Sequence, residues 1–189
     1  MYASRLYSIH SHKQSTIMMK LLILCGLLLV ATVLCKKHER QAIVEGCPID
    51  FVKFDSSCYH VFDAPLLKWW EAMAFCAMYS NGEGTLATVE SDAEEAFLES
   101  QLKQDTTHHG DFWLGATDMV NEGTYVWTRR NEYVSEYTNW APGQPSSGRA
   151  ENCLALYEGV QFKWNDAPCD IQASFICEVP YDPSATVIG

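Results

Sequence analysis

Residues 144–169 read QPSSGRAENCLALYEGVQFKWNDAPC, and they decide how the rest of the chain is interpreted. Three short groups in this stretch supply five side chains that end in oxygen. None of the five is a cysteine or a histidine, and mixed carboxylate, amide and hydroxyl oxygens suit Ca²⁺ better than zinc or copper. The candidate ligands are Gln144, Ser146, Glu151, Asn165 and Asp166.

These five side chains would not complete the coordination of calcium by themselves. Calcium takes about 6–8 oxygen ligands, so five side chains and one backbone carbonyl leave positions open. Two neighbouring hydroxyls of a sugar could fill them while the same side chains hydrogen-bond those hydroxyls. The pair Asn165-Asp166 could instead form a plain turn before Cys169, but Gln144 and Glu151 favour the ligand interpretation.

The segment from Thr128 to Asn152 is rich in Asn, Gly, Pro, Ser and charged residues, and it shows neither a strand period nor a helix period. A structureless stretch of about 25 residues is uncommon inside a compact domain and is often functional. Cys153 follows at once and is expected to hold the segment down. The sequence therefore predicts a long binding loop here.

Two helices are predicted in the first half of the chain. Pro65 stands where the first helix could begin, and an apolar face follows it at helical spacing. That face consists of Trp69, Ala72, Met73 and Cys76. Ser91-Asp92-Ala93-Glu94 fits a capping box for the second helix, whose predicted inner face consists of Ala93, Ala96 and Phe97.

The remaining apolar runs are short and rich in aromatic and β-branched residues, which is typical of strands. Helices early in the chain and short strands throughout predict an α+β domain. The predicted strands are Cys58–Phe62, Thr85–Val89, Phe112–Ala116, Tyr125–Trp127, Cys153–Tyr157 and Ser174–Glu178.

Six of the eight cysteines lie beyond the first 35 residues. An even number behind a leader predicts three disulfides formed in an oxidising compartment. Six cysteines allow 15 pairings, and spacing alone does not choose among them. The six are Cys47, Cys58, Cys76, Cys153, Cys169 and Cys177.

The leader contains an apolar run of 14 residues, 21–34, flanked by lysines. Its length fits the apolar region of a signal peptide better than a membrane span of about 20 residues. We therefore expect a signal peptide over 1–35, a short mature N-terminus over 36–46, one domain over 47–178 and a tail over 179–189. Secretion is favoured over a signal anchor, and no stable insertion in a membrane is expected.

The segment from residue 36 onward holds 10 basic and 24 acidic residues, a net charge of −14. Nucleic-acid binding requires clustered basic residues, so this class of partner is excluded. Most of the carboxylates are expected to serve solubility. Sequence motifs for serine hydrolases, zinc proteases and phosphate-binding loops are absent, and no enzymatic activity is predicted.

Between Cys47 and Glu178 the chain resembles a long-form C-type lectin domain. Each motif that carries the resemblance is weak alone, but together and in this order they are specific. These motifs are Trp113-Leu114-Gly115-Ala116, Glu122-Gly123 with Trp127, Asn139-Trp140, Gln144-Pro145-Ser146, Glu151-Asn152-Cys153 and Trp164-Asn165-Asp166.

The resemblance implies a C-type lectin-like fold, with two helices flanking short antiparallel sheets and a long calcium- and sugar-binding loop. It also implies a cis Gln144–Pro145 bond, and it implies that the five candidate ligands bind calcium and sugar together. The implied disulfides are Cys47–Cys58, Cys76–Cys177 and Cys153–Cys169.

The triplet Gln144-Pro145-Ser146 departs from the usual patterns of the family, which are Glu-Pro-Asn for mannose-type and Gln-Pro-Asp for galactose-type sugars. Gln144 favours galactose-type sugars, whereas Ser146 offers only a short hydroxyl, so weak calcium affinity is expected. A second calcium site of some relatives would use Asp118, Glu122 and Ser147. It is not expected here, because a serine is a poor ligand.

Several conspicuous residues are assigned ordinary structural roles. Trp113, Trp127 and Trp164 are expected in the core rather than in a ligand platform. The pairs expected on the surface are His108-His109 in a loop, Glu94-Glu95 on a solvated helix face and Arg129-Arg130.

The sequence thus predicts a secreted, calcium-dependent lectin for terminal sugars of microbial or cell-surface glycans. One shallow site binds a monosaccharide near millimolar, about −4 kcal/mol, so useful affinity requires a homo-oligomer or a multivalent glycan surface. Two alternatives use the same fold without a sugar site. One is a calcium-independent protein-binding module, and the other is a mineral-associated structural protein.

Overall fold

The structure is a computed structural model that describes residues 43–44, 46–104, 110–134, 136–146 and 148–184. The predictions for the signal peptide, for His108-His109, for Ser147 and for the last five residues of the tail lie outside these ranges. Among the described residues, no helix is long and apolar enough to cross a membrane.

Within these ranges the chain forms two helices and eleven strands. Helix α1 spans Trp69–Tyr79 and helix α2 spans Asp92–Gln104. The strands in chain order are β1 Ile43–Val44, β2 Cys47–Pro48, β3 Val52–Phe54, β4 Ser57–Leu67, β5 Thr85–Leu86, β6 Phe112–Thr117, β7 Val126–Trp127, β8 Glu132–Tyr133, β9 Cys153–Tyr157, β10 Lys163–Ala167 and β11 Ala173–Pro180.

The main sheet runs in the order β10-β9-β6-β11-β4-β3, with β5 beside β11 and the hairpin β7-β8 beside β6. Strand β6 pairs with β11 in parallel, through Ser174 opposite Phe112, and its other partners are antiparallel. Strands β1 and β2 form a separate small sheet. The α+β prediction is confirmed, and the parallel pair makes the sheet mixed rather than purely antiparallel.

Helix α1 begins at Trp69, four residues after the predicted start at Pro65. Pro65 lies in β4 after a cis Ala64–Pro65 bond, and Leu67 pairs with Ala173 in β11, so this segment is held extended. Glu71 caps the helix by accepting a hydrogen bond from the backbone of Lys68 at 3.1 Å.

The predicted inner face of α1 is confirmed. Trp69, Ala72 and Cys76 are buried, and Met73 packs against the same core cluster. The indole of Trp69 donates to the carbonyl of Leu114 at 2.8 Å, which ties the helix to β6.

Helix α2 buries a different face from the predicted one. Ser91 caps it by accepting from the backbone N–H of Glu94, as the capping box predicts. Ala93 and Ala96, however, are exposed and Phe97 is only half-buried. The buried face consists of Glu94, Glu95, Leu98 and Leu102.

The prediction that Glu94 and Glu95 form a solvated face is therefore wrong. Tyr59 donates its hydroxyl to Glu94, and the indole of Trp164 donates to Glu95. These bonds offset part of the cost of removing a carboxylate from water.

The three implied disulfides are all present, linking Cys47 to Cys58, Cys76 to Cys177 and Cys153 to Cys169. The second joins α1 to β11 across 101 residues of sequence. A closure of that length stabilises a fold by about 4–5 kcal/mol in the chain-entropy treatment.

The three tryptophans expected in the core lie there. Trp113 packs in a cluster with the disulfides, while Trp127 and Trp164 pack in a second cluster between α2 and the sheet. Trp127 and Trp164 meet edge to face at 5.8 Å between ring centroids.

Arg129 is not a plain surface residue, which corrects the prediction for Arg129-Arg130. It pairs with Glu178, a buried carboxylate of β11 that also accepts from Ser57 and from both donors of Thr88. Arg130 is exposed, as predicted, and pairs with a surface glutamate at 2.8 Å.

The two ends of the domain lie side by side. The backbone N–H of Asp182 donates to the carbonyl of Gly46 at 3.1 Å, and that of Tyr181 donates to Ser56 at 2.9 Å. The ammonium of Lys53 sits 3.6 Å from the centre of the Tyr181 ring.

Candidate functional site

Strand β10 supplies two of the five predicted ligands, Asn165 and Asp166. It pairs with β9 in antiparallel register, so Asn165 lies opposite Ala155 and Asp166 lies opposite Leu154. This strand is absent from the predicted set, and the plain-turn alternative for Asn165-Asp166 is wrong. Asp166 is fully buried and Asn165 is half-buried.

The loop that precedes β9 is fastened to β10 through its backbone. Trp164 accepts at its carbonyl from Ala141 at 2.8 Å and donates its own N–H to Asn139 at 2.9 Å. The Gln144–Pro145 bond that follows is cis, as the family resemblance implies. The loop therefore arrives beside the strand that carries the two ligands.

Two contacts join the triplet to that strand. The side-chain amide of Gln144 donates to Oδ1 of Asn165 at 2.5 Å. The backbone N–H of Ser146 donates to Oδ2 of Asp166 at 2.8 Å. Direct hydrogen bonds thus join four of the five predicted site residues in two pairs, and the members of each pair are about 20 residues apart in sequence.

Glu151 lies between a short 3-10 turn, Gly148–Ala150, and the start of β9. Its N–H donates to the carbonyl of Gly148 at 3.0 Å. The carbonyl of the next residue, Asn152, accepts from the hydroxyl of Thr117 at 2.7 Å and from the backbone of Asp118 at 3.2 Å. These bonds tie the Glu151 segment to the end of β6.

The buried hydroxyl of Tyr125 is influenced by several negative charges at this end of the domain. Burial raises the pKa of Tyr125, and the negative charges of Asp118, Asp166, Glu122 and Glu151 raise this pKa further. The pKa of one hydroxyl is therefore raised by the charges of two predicted ligands and of two acids in the β6–β7 loop. Tyr125 is missing from the predicted site, since its alternation with Trp127 indicates only a buried strand position.

Buried polar atoms without partners concentrate at this end of the domain. Among the described residues, Oδ1 of Asp118, the hydroxyl of Tyr125 and Oε1 of Gln144 are buried and accept or donate no hydrogen bond. An unsatisfied buried polar atom costs about 1–3 kcal/mol. Such a cluster of oxygens fits a site that binds a hard cation.

The donor chemistry agrees with calcium. In the described part of the chain, no three His, Cys or carboxylate side chains lie close enough to hold a metal by themselves. A cation here would thus depend on amide and hydroxyl oxygens as well as on Glu151 and Asp166, and Ca²⁺ accepts such mixed oxygen sets.

Residues 66–179 match the family model described as the lectin C-type domain. The chain belongs to the C-type lectin family.

Curated relatives match over most of this lectin's length. A C-type lectin from Bungarus fasciatus, BfL-2, is 34% identical over 137 residues, which cover 71% of this chain and 84% of the relative. Perlucin from Haliotis laevigata is 34% identical over 147 residues, covering 74% and 88%.

Solved structures extend the range of functions that similar folds serve. The lectin domain of murine dendritic cell inhibitory receptor 2, in complex with an N-glycan, has a TM-score of 0.62 and 26% identity, covering 71% of this chain and 98% of that one. A Ca²⁺-dependent type II antifreeze protein has a TM-score of 0.61 and 26% identity, covering 70% and 98%.

Proposed function

We propose that this lectin binds carbohydrate through one calcium ion held by Gln144, Ser146, Glu151, Asn165 and Asp166, and that it acts outside the cell. The observation that carries the proposal is the buried, unpartnered Oε1 of Gln144, whose amide nitrogen donates to Oδ1 of Asn165. A buried amide oxygen without a partner, on a residue that contacts the neighbour of the buried carboxylate Asp166, is suited to a hard cation.

Calcium, Asp166 and Gln144 would have different roles in binding the sugar. When bound, calcium would supply a positive charge that attracts two neighbouring sugar hydroxyls. Asp166 holds the loop by accepting from the backbone of Ser146. The amide of Gln144 can donate to a sugar oxygen once it turns from Asn165, and this donor is our reason to favour galactose-type sugars.

Low affinity follows from the composition of the site. Only Glu151 and Asp166 among the five carry formal charge, and extracellular calcium modules bind with dissociation constants near 10⁻⁴–10⁻³ M. A single site for one sugar unit gives about −4 kcal/mol. Function in a tissue would then depend on several sites engaging a multivalent glycan surface.

The direct test is a glycan array probed with the refolded protein in calcium and in EDTA. We expect binding to defined sugars that disappears in EDTA and in Asp166→Asn. The matched control is Asp170→Asn, which alters an exposed carboxylate four residues away. Binding that is equal in both buffers and survives Asp166→Asn would refute the proposal.

A second candidate function is a calcium-independent protein-binding module. It is favoured by Ser146, because this residue supplies no carboxylate and its backbone already donates to Asp166. Binding of a protein partner that is unchanged by EDTA, with no sugar bound by the folded protein, would support this candidate. Binding to calcium mineral that survives Glu151→Ala and Asp166→Ala would indicate a structural role instead.

A further inference from the structure

The solvent face of the β6-β7-β8 strands forms the floor of a cavity of about 480 Å³. Val126 lies opposite Thr117 on one side and opposite Tyr133 on the other. Thr124 and Thr128 lie two residues to either side of Val126 and line the same cavity. Val120, which is 98% exposed, contributes to the lining from the β6–β7 loop.

The lining is amphipathic and carries no charge. All the residues around the cavity are threonine, asparagine, valine or tyrosine, in a chain that is otherwise strongly acidic. Hydroxyl and amide groups beside apolar surface match the chemistry of a sugar ring, which has polar edges and apolar C–H faces. Tyr133 offers a broad aromatic surface, since it is 70% exposed.

One contact connects the cavity lining to the segment that carries the candidate ligand Glu151. Thr117 lines the cavity, and its hydroxyl donates to the carbonyl of Asn152, the residue after Glu151. The same β6–β7 loop carries Asn121, which lines the cavity, and Asp118, whose negative charge raises the pKa of Tyr125 as those of Glu151 and Asp166 do. A ligand that continues past the candidate site on this side would reach the cavity next.

From this geometry we infer that the cavity is a second sugar subsite, which takes a neutral unit of an oligosaccharide whose terminal unit occupies the calcium site. The inference rests on the proposed function and adds the class of ligand. Neutral oligosaccharides are expected to bind more tightly than their single terminal sugars.

A neighbouring cavity of about 460 Å³ supports selectivity for neutral glycans. It shares Asn131 and Tyr133 with the first cavity, and the carboxylates of Glu90, Glu132 and Glu136 are part of its lining. Arg130 pairs with Glu90 at 2.8 Å and with Glu132 at 3.8 Å, so one positive charge stands against three negative ones. A sulfated or carboxylated sugar unit near Tyr133 would meet the negative charge that remains. Acidic oligosaccharides should therefore lose the advantage that the subsite provides.

Calorimetric titration of the full chain in calcium tests the inference. The probes are galactose with lactose, mannose with mannobiose, and each disaccharide again with a sulfate on its reducing unit. We expect one disaccharide to bind roughly five- to tenfold more tightly than its monosaccharide, as aromatic contacts of this kind provide. The sulfated form should bind no better than the monosaccharide.

Tyr133→Ala should remove that advantage and leave the monosaccharide affinity within about twofold. Thr124→Val, which removes one hydroxyl at constant size, should reduce the advantage in part. Tyr157→Ala is the matched control, because Tyr157 is 42% exposed and lines neither cavity.

The outcomes separate the two proposals. Suppose that the native chain binds sugars in calcium and that Tyr133→Ala weakens the binding of monosaccharide and disaccharide equally, or weakens neither. The subsite is then refuted, and the proposed function is not. A sulfated disaccharide that binds as well as the neutral one refutes its selectivity. If the folded native chain binds no sugar in calcium, the proposed function fails and the subsite fails with it.

Discussion

The indole nitrogen of Trp164 donates a hydrogen bond of 2.8 Å to Oε2 of Glu95, and this bond joins the strand that carries the candidate site to helix α2. Glu95 is 4% exposed, and its other carboxylate oxygen has no partner among the described residues. Burial raises the pKa of Glu95 to about 7, although the hydrogen bond from Trp164 lowers it. The support of the site therefore contains a carboxylate that titrates near neutrality.

Replacing this carboxylate by an amide should change how stability depends on pH. Because the folded pKa is raised, the folded chain gains stability from the bound proton below about pH 4.5 and loses it as pH rises through about 7. Glu95→Gln keeps an acceptor for Trp164. We expect the free energy of unfolding of this variant to exceed that of the native chain by about 1–3 kcal/mol at pH 8. Below pH 4.5 the two free energies should be equal.

Urea unfolding at pH 4.5, 6 and 8 measures this difference, with Glu83→Gln as the control on an exposed glutamate. A difference that is the same at all three pH values would show that the effect does not come from titration of Glu95.

Two buried tyrosines should respond in opposite directions to loss of their hydroxyls. Tyr59 donates to Glu94, whereas the hydroxyl of Tyr125 has no partner among the described residues. In EDTA we expect Tyr125→Phe to stabilise the fold by about 0.5–1 kcal/mol and Tyr59→Phe to destabilise it by about 1.5–3 kcal/mol.

Thermal unfolding of both variants provides the measurement, and each variant is the control for the other. Equal destabilisation by the two substitutions would mean that the Tyr125 hydroxyl is satisfied in solution.

Calcium should stabilise the folded chain by mass action. At ten times its dissociation constant, a ligand that binds only the folded state contributes about 1.4 kcal/mol. We expect the melting temperature to rise with calcium and to return to its starting value in EDTA. Asp166→Asn should remove the rise, whereas Asp170→Asn should keep it. A rise that persists in Asp166→Asn would place the cation elsewhere.

Ser146 should limit the calcium affinity of the site. Ser146→Asp adds a third formal charge to the ligand set and keeps the backbone bond to Asp166, so the affinity should increase at least about tenfold, as ligand charge tunes calcium sites. Ser100→Asp adds the same charge on the exposed side of α2 and should have little effect. Isothermal titration calorimetry with calcium measures the affinities of both variants. Equal affinities would mean that residue 146 faces away from the cation.

The local elements were largely predictable from the sequence because their patterns are local. Strand β9 has the predicted bounds of Cys153–Tyr157, and the buried face of α1 follows its i, i+3, i+4 pattern. The errors arise where a distant residue decides the outcome. Glu94 and Glu95 are buried because Tyr59 and Trp164 supply donors from 35 and 69 residues away.

In the candidate site, too, some features follow from local sequence and others depend on distant residues. The candidate ligands could be named because the oxygen-bearing groups are close in sequence. Contacts join Gln144 to Asn165 and Ser146 to Asp166, and the assignment of these residues as ligands stays a prediction. The negative charges that act on Tyr125 come from residues that are far apart in sequence, Asp118, Glu122, Glu151 and Asp166. Nothing in the alternation of Tyr125 with Trp127 indicates this arrangement.

The hydrogen bond between the backbones of Gly46 and Asp182 makes the two ends of the domain neighbours in space. When the two ends of a domain are neighbours, they can be joined to another chain or to each other without distorting the fold. Such a domain can be inserted into a loop of another protein. It can also be circularly permuted, with a short linker across the old ends and new ends opened in a surface turn. The adjacency thus makes the domain a portable unit.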